Sequence, residues 1–191
     1  MTGTKATALE AFCREQGRAF VRFDYSSHGQ SSGEFTDGTI GRWAGDAIAV
    51  LDEVADASQV LVGSSMGGWI MLLVALARPG RVAGLVGIAA APDFTERLMW
   101  DHFPPEAKKA LETDGICYEP SNYDDGPNPI TMKLIEEGRN HLVLDKHLAI
   151  HCPVRLIHGM KDEEVPWGHV MLMRDQLLSD HVTMTLIKDG D

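Results

Sequence analysis

The stretch from Gln59 to Ala77 constrains the fold more than any other. Gln59-Val-Leu-Val62 reads as a short buried strand, Gly63-Ser-Ser-Met-Gly67 as a tight turn, and Met66 to Ala77 as an apolar helix. A strand that passes into a helix through a glycine-flanked serine leaves that serine on a sharp, strained turn. This is the G-x-S-x-G pattern, and its glycines stand where side chains would clash. Ser65 would then project its hydroxyl at the end of a sheet. The Met66 N–H, at the helix start, would face any negative charge developing beside it. Gly29-Gln-Ser-Ser-Gly33 fits the same five letters. No apolar strand leads straight into it and Glu34, Thr36, Asp37 and Gly38 follow, so Ser31 belongs to a loop.

Strand and helix character alternates along the chain, which predicts an α/β fold with a mostly parallel sheet flanked by helices. Thr4 to Gln16 reads as a helix with Leu9, Phe12 and Cys13 on one face. Arg18 to Phe23 reads as a strand, and Ile40 to Ala55 as a helix burying Trp43, Ile48, Leu51 and Val54. Val82 to Ala89, Val154 to Ile157 and Val182 to Ile187 are further strands, with Trp167 to Leu178 a helix before the last. Between Asp93 and Lys146 the character changes. Phe94 to Trp100, Pro105 to Glu112 and Ile130 to Gly138 suggest short helices, and Asp124 to Pro129 a turn cluster. That block is too structured for a linker and predicts a helical cap inserted over one end of the sheet. The expected organisation is a first part of the core over 1–92, a cap or lid over 93–146, and a second part of the core over 147–191.

Composition narrows the function classes. Seventeen Lys and Arg against 28 Asp and Glu give a net charge of −11, with no basic stripe to neutralise nucleic-acid phosphates. Hydrophobic residues at 44% and charged residues at 24% are those of a globular chain. The longest apolar run, Trp69 to Ala77, is about half the roughly 20 residues of a membrane span. Cys13, Cys117 and Cys152 form no pair or disulfide framework, and the first twenty residues lack an apolar signal stretch. A cytoplasmic interior is expected.

A serine nucleophile of this type is followed along the chain by an acid and then a histidine. His158-Gly-Met-Lys-Asp162 follows the Val154 strand, at the strand end where parallel sheets build their sites. Asp162 is the candidate acid, ahead of Glu163 and Glu164, with Asp93 as fallback. The histidine should follow the last strand, but that stretch is Lys188-Asp-Gly-Asp191. His169 and His181 read as surface histidines, His28 and His158 as pocket candidates. His147 and His151 stand at i and i+4 near His141 and Cys152, without an acid spaced to complete a metal site. No metal or other cofactor is expected.

Together these residues resemble the α/β-hydrolase superfamily. More narrowly they resemble its soluble acyl-protein thioesterase and acyl-glucuronide esterase branch, known from mitochondria and bacteria. The resemblance spans nearly the whole chain. It rests on Arg22 to Ser31, Asp37-Gly-Thr-Ile-Gly-Arg-Trp43, Val62-Gly-Ser-Ser-Met-Gly-Gly-Trp69, Ala91-Pro-Asp-Phe94 and His158 to Asp162. Asp37–Trp43 and Val62–Trp69 are its more specific parts. Ser27 departs from the glycine of the family before His28-Gly29.

The resemblance implies Ser65 as nucleophile, Asp162 as triad acid, and a small acyl ester or acyl thioester as substrate. It admits the mitochondrial matrix as an alternative location. It also implies that the family's N-terminal strands, the loop that completes its oxyanion hole, and its catalytic histidine lie outside these 191 residues. The chain alone is therefore expected to be inactive. A non-catalytic binding module, or a peptidase or acyltransferase on the same fold, are the alternative readings. Trp100, Phe103 and Tyr118 of the cap are candidates to line an acyl pocket.

Overall fold

The computed structural model describes residues 3–119 and 126–191. Residues up to Gly38 form one compact unit and residues from Thr39 a second, each considered by itself.

The first unit holds helix α1 (Thr4–Glu15) and a loop-rich remainder. The apolar face expected on α1 is present but uncovered: no residue of the helix is buried, and Phe12 is 54% exposed. Amphipathic spacing marks a face, but only an overlying element buries it. Arg18 to Phe23, expected as a strand, forms none, because no ladder partner stands beside it among the described residues. Ser27 has φ 68°, in the left-handed region where the family's glycine would sit without strain.

In the second unit α2 (Ile40–Val54) leads to β1 (Gln59–Ser64), α3 (Met66–Ala77) and β2 (Val82–Ile88). After residues 93–146 come β5 (Val154–Gly159), α6 (Trp167–Gln176) and β6 (Val182–Ile187). All neighbouring strands of this sheet are parallel, in the order β1-β2-β5-β6, so their carboxyl ends share one edge. The core lies around α3, whose Trp69, Ile70, Leu72 and Val74 are buried with Leu85 of β2 and Val154 and Leu156 of β5.

Burial departs from expectation in α2 and β1. Ile48 of α2 is only half-buried. Val54 is exposed at the end of α2, past the turn that carries the buried Leu51. Among the described residues β1 has a neighbour on one side only, and Val60 and Val62, two residues apart on one face, are 60% and 41% exposed.

The insertion between β2 and β5 begins with a π-helical turn, Thr95–Trp100, in which Asp101 N–H reaches back to the Glu96 carbonyl. α4 (Pro105–Asp114), β3 (Ile116–Glu119), β4 (Asn128–Thr131) and α5 (Met132–Gly138) follow. β3 and β4 pair antiparallel, and Phe103, Leu111, Cys117, Ile130 and Ile135 form a small core there. The β3–β4 pair was not foreseen. Its proline and glycine suggested only a turn cluster over Asp124–Pro129, where Asp124 and Asp125 lie outside the described residues and Asn128 and Pro129 belong to β4.

Candidate active site

β1 delivers Ser65 to the carboxyl edge of the sheet. Ser65 is exposed, with φ 51° and ψ −122°, a left-handed conformation that a residue with a side chain adopts at a cost of about 1–3 kcal/mol. The surrounding backbone holds it there. Ser65 N–H donates to the Ile88 carbonyl at 3.1 Å, and the Ser65 carbonyl accepts from Gly68 N–H at 2.8 Å and Ala91 N–H at 3.1 Å. A Cβ at Gly63 would stand 2.2 Å from the Gly67 carbonyl oxygen, and one at Gly68 2.4 Å from Ala90 Cβ. The turn is thus closed by the absence of side chains. Met66 opens α3, where the first N–H groups have no intrahelical acceptor, so its amide is available to an anion beside Ser65.

Two strands away, β5 ends in His158 and Gly159 and leads into the Asp162 loop. Asp162 Oδ1 accepts from the amides of Val165 at 2.8 Å and Glu164 at 3.1 Å, which fixes the loop on its own carboxylate. His158, fully buried, donates from Nε2 to the Val165 carbonyl at 2.7 Å, and its Nδ1 is buried without a partner. A carbonyl only accepts, so Nε2 carries the proton and His158 braces the acid loop from below. The stretch after β6 lies against this loop as well. Lys161 N–H donates to the Gly190 carbonyl at 2.8 Å, and a Cβ on Gly159 would meet that same oxygen at 2.4 Å.

The remaining candidates are placed elsewhere. Asp93 is buried with φ 58°, and its two carboxylate oxygens accept from Val143 and Leu144 N–H, each at 2.8 Å. Burial pushes its carboxyl upward, against those two amides and Arg97, which pull it down. Asp93 therefore ties the start of the insertion to its end. His169 corrects the expectation of a surface histidine. It is buried on α6 and donates from Nε2 to the Pro92 carbonyl at 2.6 Å, with its pKa lowered by burial. α6 has only weak amphipathic patterning, so nothing in the sequence marked that residue as inward-facing. His181 is exposed at the opposite edge, where its carbonyl accepts from Val154 N–H.

Trp100 packs on the insertion's own core, with Arg139 Cζ at 4.8 Å and Lys108 Nζ at 5.4 Å from its ring centroid. Phe103 is buried in that core and Tyr118 is exposed. His28 sits in the first unit, edge-on to Tyr25 and Phe35. Among the described residues no three His, Cys, Asp or Glu side chains converge as metal ligands would, and no helix is long and apolar enough to cross a membrane.

This arrangement can be set beside known proteins. The family model described as serine aminopeptidase, S33 (Hydrolase_4) matches residues 5–119, more than half of the chain. The chain belongs to this α/β-hydrolase family. A human protein named palmitoyl-protein thioesterase ABHD10, mitochondrial, is 43% identical over all of this chain. The chain spans 62% of that curated relative's length. The structure of alpha/beta hydrolase domain-containing protein 10 from mouse matches with a TM-score of 0.91 at 44% identity. A putative hydrolase from Agrobacterium vitis S4 matches with a TM-score of 0.96 at 41% identity. Each match covers 100% of this chain and 76% of the other.

Proposed function

We propose that this chain carries the nucleophile and the acid of a serine hydrolase that cleaves carboxylic ester or thioester bonds. The observation that carries the proposal is the left-handed backbone of Ser65 at the end of β1, beside the free-ended start of α3. Stable folds retain such strain where a reactive group must be held out from its own chain. Relatives named thioesterases, at about two-fifths identity over the whole chain, support the ester and thioester class over a peptide bond.

In this mechanism Ser65 Oγ attacks the acyl carbonyl and gives its proton to an imidazole oriented by Asp162. Met66 N–H stabilises the oxyanion. Collapse of the tetrahedral intermediate expels the thiolate or alkoxide, which takes up the imidazole's proton. Water then repeats the sequence in reverse, releasing the acid and restoring Ser65.

Three described histidines of the second unit do not fit the base. His158 and His169 are buried with Nε2 spent on backbone carbonyls, and His181 lies at the far edge of the sheet. We assign the base to a residue beyond these 191, entering past Gly190, which already packs on the acid loop. Removing such a histidine costs about 10⁶ in kcat in a related triad, so the 191 residues alone would not turn over. We assign a lid role to the insertion over 93–146. The cytoplasmic expectation finds no support in the relatives, whose names carry the word mitochondrial, and we propose a mitochondrial location.

Fluorophosphonate labelling tests this, with the modified residue mapped by mass spectrometry in the 191-residue chain and in a version extended at both ends. Fast labelling of Ser65 only in the extended version is expected. Equal rates in the two would remove the external base, and labelling at another serine would remove Ser65.

A further inference from the structure

The two most distinctive sequence runs, Asp37–Trp43 and Val62–Trp69, each send one residue to a junction that the serine chemistry does not use. Gly41 lies in the first turn of α2, and Trp69 in the first turn of α3. Opposite them stand Glu137 and His141, four residues apart at the end of the insertion. Gly41 N–H donates to both carboxylate oxygens of Glu137, each at 3.1 Å. His141 Nε2 is 2.7 Å from Glu137 Oε1, and the indole N–H of Trp69 donates to the His141 carbonyl at 3.1 Å. Phe94, at the start of the insertion, meets the same Trp69 edge to face at 5.6 Å.

Each part has a physical reason. The first N–H groups of α2 need acceptors from outside the helix. Thr39 supplies one to Arg42 through its hydroxyl, and Glu137 supplies another to Gly41, adding negative charge at the positive end of the helix. Gly41 leaves room for this contact, because a Cβ there would stand 2.3 Å from Glu137 Oε1 and 2.5 Å from His141 Nε2 and would displace both side chains. Trp69 is wholly buried, so its indole N–H requires the acceptor that the insertion provides.

We propose that Gly41, Trp69, Glu137 and His141 form a latch. It fastens the insertion to the first turns of α2 and α3, and the insertion opens as a unit by its release while the sheet stays folded. Glu137 and His141 are then positioning residues, holding the insertion against the helix that begins beside Ser65. The latch stands on these contacts alone and does not require Ser65 to be a nucleophile.

Native-state hydrogen exchange on the full chain tests the proposal, with Trp69→Phe and Glu137→Gln keeping the bulk of each side chain. Amides within 95–100 and 132–141 should exchange roughly 10- to 100-fold faster, the scale of a lost hydrogen bond to a charged group, with β2 and β5 unchanged to within about twofold. Gly41→Ala should produce the same signature from the core side, although alanine favours helix α2 itself. Equal acceleration in β2 and β5 would make these residues general stabilisers and overturn the latch. So would unchanged exchange in 132–141 in all three variants.

Discussion

The chain contains the same five-letter pattern twice, and the two copies fold in opposite ways. At Gly63 to Gly67 the pattern joins β1 to α3, and Ser65 is left exposed on a strained turn. At Gly29 to Gly33 it closes a loop on itself: Ser31 Oγ donates to the Asp24 carbonyl at 2.8 Å, and the left-handed positions fall on the two glycines. In the first copy Gly63 makes room for the neighbouring backbone of Gly67 and Gly68. In the second, Gly29 is crowded by the Asp24 carboxylate, a side chain that can swing away. The pattern does not make a nucleophile. What separates the copies is context: the strand before the first and the helix after it put the positive φ on the serine instead of on a glycine.

The largest expected difference is chemical. In the polypeptide extended beyond Asp191, Ser65→Ala should abolish fluorophosphonate labelling, while Ser31→Ala should leave its rate unchanged. Loss of labelling in the Ser31 variant would mean that the two turns had been assigned the wrong way round.

Next comes the steric contrast. Gly63→Ala drives a methyl into the Gly67 and Gly68 backbone and should cost about 3 kcal/mol in urea unfolding. Gly29→Ala meets a movable carboxylate at φ 54° and should cost about 1 kcal/mol. Similar losses at both positions would break the comparison.

Strain offers a third separation. Ser65→Gly should stabilise the chain by about 1 kcal/mol, because glycine adopts φ 51° freely, while removing the hydroxyl that labels. A thermal melt beside the labelling assay reads both effects, and a destabilised variant would mean that Ser65 is not strained.

The smallest effect is in pH dependence, beside the first site. Burial holds the His169 pKa below 6.5, so as the pH falls the unfolded chain takes up this proton first. The stability it contributes is full above 6.5 and is lost as the pH falls through the folded value. His169→Gln keeps a donor for the Pro92 carbonyl without titrating. Its urea midpoint should therefore fall less steeply than the parent's between about pH 7 and 5. Parallel slopes would mean that His169 is not buried neutral.

How much was legible depends on the range of the interaction. The serine turn was readable because strand, glycines and helix are contiguous, and α3 spans the predicted Met66–Ala77. Asp162 could be placed at the end of β5 for the same reason, but its brace could not: His158 and Val165 are close in sequence, yet only the fold buries one under the other. Asp93 looked like a spare acid. Its oxygens are taken by amides fifty residues further on, and no local pattern announces such a partner. Gly41 reads as an ordinary helical glycine until Glu137, 96 residues away, arrives at its amide.

Sequence by itself determined the alternation of strands and helices, the turn that presents Ser65, and the strand end that carries Asp162. Those features follow from local propensity and from apolar spacing within a few residues. Only the tertiary structure decided which histidines are buried and which distant groups meet Asp93, Gly41 and Trp69. Each of these depends on which distant group removes water from a side chain or completes its hydrogen bonds. Periodicity names a face, and packing alone says what lies on it.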